Sequence, residues 1–218
     1  MTMNRKYIHI AALLVALSPL IAQAGTVRTE VAKDLDDARQ EVRTELAQER
    51  ARLDSENLSL GEGLHFGRED KDEAAKRRPL PKGEITPRGD LLIDGKAVAL
   101  DAAQRRQVLN YRAQVIGIAR TGIDAGERAA MLAIEATDVS LFRLIAGGLT
   151  GSLERRVEAT VQREIQPMVL QICHRLPQLR DSQQALAASV PEFRPYATLD
   201  NDDVENCERD MRKDLATR

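Results

Sequence analysis

The chain has 218 residues, with 32 Lys and Arg against 34 Asp and Glu, a net charge of −2. That near-balance argues against a nucleic-acid partner, because neutralising phosphate takes a surplus of cations. Trp is absent and aromatic residues make up 3% of the chain, so platforms for stacking bases or sugars have few residues to draw on.

The N-terminus reads as a secretory leader. Arg5 and Lys6 form a basic start with no acid, and an apolar run from Ile8 to Ala22 follows, interrupted by His9, Ser18 and Pro19. The run ends in Ala22-Gln23-Ala24, which puts small residues where a signal peptidase reads, so the expected cut is between Ala24 and Gly25. A retained anchor is the alternative, but an apolar run of about 15 residues is short against the roughly 20 a bilayer needs. No Cys follows the cut to carry a lipid. Cleavage leaves 194 of the 218 residues, with 30 basic and 34 acidic side chains. No transmembrane span is expected in that mature chain, since its longest apolar run, Leu141 to Ala146, is broken by Arg143. The expected location is the periplasm.

Residues 25–58 form the first predicted element, a charged amphipathic helix. Val31, Leu35, Ala38, Val42, Leu46 and Leu53 recur at steps of three, four or seven, with mostly charged residues between them. So narrow a stripe suits a helix docked on its own domain, or a coiled-coil arm for self-association or an envelope partner. Residues 59–83 read as a flexible linker rich in charge, Gly and Pro, with a short strand between Leu58 and Phe66 as an option.

The domain 84–218 opens with a β-hairpin. Two short apolar runs flank Asp94-Gly95, a dipeptide suited to the positive φ angles of a two-residue type I′ turn. Asp101 is the expected cap of a helix to about Ala119, with Val108, Tyr111, Val115 and Ile118 on one side. Gly122 and Gly126 punctuate a connection to a helix over 127–146, which Gly147-Gly148 would stop. Leu153, Val157, Val161, Ile165, Met168 and Ile172 mark the next helix, which Pro167 should kink or restart. Another helix lies between Pro177 and Pro191, Phe193 to Tyr196 read as loop, and Asp200 to Asp203 cap a last helix. The fold class is therefore mainly α: a helical bundle with one small antiparallel hairpin and a long charged N-terminal helix.

Cys173 and Cys207 fall on helices that could face each other, and in an oxidising compartment an even pair reads first as a disulfide. Two free buried thiols are the alternative. No catalytic, cofactor-binding or metal-ligating set stands out. His65 and His174 lie far apart, and the acidic run from Asp200 to Glu205 lacks the central Gly of a calcium loop. Cys173 and His174 are helix neighbours pointing about 100° apart, which does not make a nucleophile–base pair. Gly147 to Ser152, followed by Arg155 and Arg156, resembles an anion-holding loop but lacks the Gly-Lys-Ser/Thr ending.

From Ile85 to about Ile145 the chain resembles the YggN-like exported proteins of Gram-negative bacteria. The hairpin from Gly89 to Leu100, then Gln104-Arg105-Arg106 and Tyr111-Arg112, carry the resemblance. It implies a periplasmic location and supplies no activity or functional residues. The expectation is a non-catalytic exported protein acting through an interaction surface, with the N-terminal helix as contact element. The rival is a small-ligand-binding protein or enzyme whose site is assembled from distant residues such as Tyr111, Arg112 and Arg143. A weaker option is attachment to anionic membrane through Lys76-Arg77-Arg78.

Overall fold

The computed structural model describes residues 18–61, 80–145 and 152–216. Helix α1 runs Ser18–Ser55, strands β1 to β4 span Leu58–Leu60, Gly83–Ile85, Leu91–Ile93 and Lys96–Ala97, and α2 covers Ala102–Ile145. Helix α3 is Ser152–Ser189, a 3-10 helix follows at Pro191–Tyr196, and α4 is Asn201–Ala216. The fold is mainly α with a small antiparallel sheet, and no helix among the described residues is long and apolar enough to cross a membrane.

The sheet has four strands in the order β1-β2-β3-β4, all antiparallel, where the sequence indicated one hairpin and an optional strand. The hairpin is as expected: Asp94 and Gly95 hold φ of 48° and 74°, the two positive values a type I′ turn requires. Leu58 pairs with Ile85 and Leu60 with Gly83, so β1 adds to the sheet through β2. Strands of three residues are too short to show alternation, which is why β2 gave no signal. Gly83 lies under the Tyr196 ring; a Cβ there would come within 2.7 Å of Tyr196 Cζ. Any larger residue would drive the ring away from the carbonyl of Pro81, to which the Tyr196 hydroxyl donates at 2.7 Å.

Asp101 caps α2 as predicted. Its carboxylate accepts from the N–H groups of Ala103 and Gln104 at 2.7 and 2.8 Å, and the Gln104 side chain returns a bond to the Asp101 N–H at 2.9 Å. The helix then continues through Gly122 and Gly126, where a break was expected. Both glycines are exposed with open space around them, while Thr121 and Ala125 beside them are buried. A helical Gly costs about 1 kcal/mol, less than the packing of its neighbours returns. Likewise α3 runs unbroken through Pro167 and Pro177. Both prolines lie on exposed positions of the helix, and the carbonyl that Pro167 leaves without a donor belongs to exposed Arg163, where water can meet it.

Helices α2 and α3 are antiparallel, as their crossing bonds show. Gln104 reaches the Ser189 carbonyl, Gln183 donates to the Tyr111 hydroxyl, Arg175 to the Gly117 carbonyl, and Arg128 pairs with Glu164. Their N- and C-terminal halves respectively, with the sheet and the 3-10 helix, enclose the main core. Ile85, Leu91, Val108, Leu176, Leu186 and Phe193 there are each 0% exposed. The segment 193–196, expected as loop, supplies two of its aromatic rings: Phe193 meets Tyr111 edge-on at 5.3 Å and Tyr196 at 6.2 Å. Helix α4 packs on α3, and Cys173 and Cys207 lie at disulfide distance, joining the two. Asp200 and Asp203 form a reciprocal cap at its start, each backbone N–H bonding the other's carboxylate at 3.1 and 2.9 Å.

Helix α1 lies along α2. Val31, Val42 and Leu53, and Leu35 and Leu46, repeat every eleven residues, a spacing that keeps one stripe in line along a nearly straight helix. These five residues and Ala38 are half-buried.

Candidate functional site

Tyr111 and Arg112 head the expected site residues, and the fold turns them apart. Tyr111 is buried in the core, its hydroxyl accepting from Gln183 Nε2 at 3.2 Å. Burial pushes its ionisation above the ordinary tyrosine value, and the Gln183 bond offsets part of that rise. Arg112, also buried, turns toward α1. Its Nη2 donates to the carbonyls of Leu53, Asp54 and Glu56 at 2.9, 3.3 and 2.9 Å. These include carbonyls at the end of α1 that have no helical donor, and a cation there also meets the negative end of the helix dipole. Arg143 sits on the same unbroken α2, with its side chain outside the described residues. Thirty-two residues at about 1.5 Å each place it roughly 48 Å along the helix from Tyr111. The three residues cannot share one site.

The other candidates separate as well. His174 is exposed next to Cys173, whose sulfur is at disulfide distance from Cys207. Asp200 and Asp203 are engaged as caps, and among the described residues no group of three or more His, Cys, Asp or Glu could hold a metal ion. His65, the Lys76-Arg77-Arg78 cluster and most of the Gly147 to Ser152 loop lie outside the described residues, as do residues 1–17 of the leader.

One groove opens between α2 and α3, about 270 Å³ in volume, lined by Ala113, Gln114, Gly117, Ile118, Arg175 and Gln178. Arg175 is spent in part on the Gly117 carbonyl at 2.9 Å, while Gln114 Oε1 is buried without a partner. The volume falls just below the roughly 300–1,000 Å³ of ordinary ligand pockets, and half of the lining residues are exposed. It is a shallow, open groove.

The densest polar arrangement lies where α1 meets α2. Arg50 bridges Asp124 and Glu127 at 2.7 and 2.6 Å, and Arg120 holds both Asp54 oxygens at 2.6 Å. The bonds to Glu127 and Asp124 raise Arg50 above its ordinary value, so this guanidinium stays charged. Four turns of α2 from Arg112 to Glu127 thus fix the C-terminal end of α1. The sequence flagged the apolar stripe; the arginine contacts span 56 to 77 residues of sequence and left no local signal. The outer face of α1 is exposed and acid-rich, with Glu30, Asp34, Asp37, Glu41 and Glu45.

No family model, curated protein or solved structure matches the chain.

Proposed function

We propose that this is an exported periplasmic protein that acts without catalysis, through a protein-interaction surface on α1. The observation that carries the proposal is a long helix laid along its own domain by a half-buried stripe, leaving an acid-rich face turned outward. The partner is an envelope protein or a second copy, met by charge complementarity.

Three features support export. The leader pattern and the resemblance to YggN-like exported proteins come first, and a cysteine pair at disulfide distance suits an oxidising compartment.

Two variants test the contact role. Deleting residues 25–49 keeps the carbonyls that Arg112 holds, and replacing Glu30, Asp37 and Glu41 by Lys reverses the outer face without touching the stripe. Both should abolish crosslinking to the partner, or self-association in sedimentation. Unchanged behaviour of the charge-reversed variant would count against the proposal, and circular dichroism checks that each variant is folded.

A further inference from the structure

We propose that α1 is a releasable cover on α2, held by charge pairs that compete with salt, so that the element offered to partners exists in docked and undocked forms. This rests on the reading of α1 as contact element and adds its regulation. Three observations lead there.

First, no residue from 30 to 57 is buried, although α1 lies along α2 for most of that length. Its stripe is half-exposed throughout. On the α2 side Arg112 and Ile116 are buried, at 8% and 5% exposure. Ile123, Met131 and Ile134 follow Ile116 at helical spacing on the side that carries Arg120, Asp124 and Glu127, and are half-covered. Departure of α1 would uncover an apolar strip on α2 while leaving the main core closed.

Second, the pairs that fasten α1 are open to water. Side-chain exposure is 34% at Arg50, 52% at Asp124, 48% at Arg120 and 60% at Asp54. Exposed pairs of this kind contribute little each and are screened by salt, with a Debye length of about 10 Å at 0.1 M falling to about 3 Å at 1 M.

Third, α1 ends at Ser55 and β1, paired with β2, begins at Leu58, so two residues join α1 to the sheet. A departing α1 stays tethered near its seat, at an effective concentration that keeps redocking intramolecular.

Hydrogen exchange read by mass spectrometry on the full processed chain tests this. Raising NaCl from 0.05 to 1 M should speed exchange of α1 amides over residues 35–50 by about tenfold. Amides of 104–118 and 176–190 should stay unchanged. Arg50→Gln should give the same acceleration at low salt, while Glu41→Gln, on the outer face, should not. Protection of α1 equal to that of 176–190 and indifferent to salt would overturn the proposal. So would acceleration in which both regions open together. Partner capture plays no part in this readout, so the two proposals can fail separately.

Discussion

The body around Phe193 and the α1 layer are built from the same chain by opposite means. In the body, six large side chains are sealed at 0% exposure, three aromatic rings pack together, and Gln183 ties three elements at once. Its Nε2 donates to the Tyr111 hydroxyl and the Tyr196 carbonyl, and its Oε1 accepts from the Leu199 N–H. Burial on that scale is worth roughly 1.5–3 kcal/mol per large side chain and is not screened by salt. In the α1 layer no side chain from 30 to 57 is buried, and exposed charge pairs, each weak and screened by salt, stand in for a core. The lesson is a division of labour: a fixed body held by apolar area, and a helix held loosely enough to answer its surroundings.

The largest effect that would sharpen this contrast comes from the body. Phe193→Ala should cost about 3–5 kcal/mol, because it opens a cavity where two other rings meet. Chemical denaturation would report this as a lower midpoint, and the whole body should unfold together. Cleaving the Cys173–Cys207 link comes next. A closed loop spanning 34 positions is worth about 3–4 kcal/mol on the chain-entropy model. Serine at both positions should lower the midpoint and raise hydrogen exchange in α4 first, because α4 packs on α3 alone among the helices it meets extensively.

Arg112→Met should cost about 1–3 kcal/mol, since it leaves three carbonyls at the end of α1 without this donor. Its exchange signature should appear at both 50–56 and 108–116, breaking the contrast at the one residue that belongs to both regions. Alkaline titration addresses the body alone. Tyr111 ionises above its ordinary value when folded, so its contribution is fully present below pH 10 and fades as pH rises through the folded value. Tyr111→Phe should remove that alkaline component from a denaturation series. The smallest effect is at Asp90, held below the ordinary carboxylate value by its bond to Arg105 and then by Thr86. Its contribution is present above the unfolded value near pH 4 and is lost as pH falls through the folded one. Asp90→Asn should flatten the acid limb slightly, leaving exchange in α1 unchanged.

The sequence was most legible where a few adjacent residues decide the geometry. Asp94-Gly95 set the hairpin turn, Asp101 with Gln104 set the start of α2, and Asp200 with Asp203 set the start of α4. The stripe from Val31 to Leu53 was equally plain, because a helical period shows over twenty residues. Breakers were misread. Gly122, Gly126, Pro167 and Pro177 look like ends in one dimension, but each sits on an exposed face of a helix whose other sides are packed, and tertiary packing outweighs a local penalty of about 1–3 kcal/mol. Strand β2 and the 3-10 helix were hidden by their length. What the sequence could not show at all was partner choice. That Tyr111 turns to Gln183 while adjacent Arg112 turns to the end of α1 depends on chain 56 to 72 residues away, and this choice separates the expected site residues.

Export is the premise on which the cysteine pair, the location and the contact role of α1 all turn. Intact-mass measurement on protein recovered from fractionated Gram-negative cells tests it directly. The predicted result is a periplasmic species that begins at Gly25, two thiol hydrogens lighter than the reduced chain. A cytosolic species still carrying Met1 to Ala24 would contradict it.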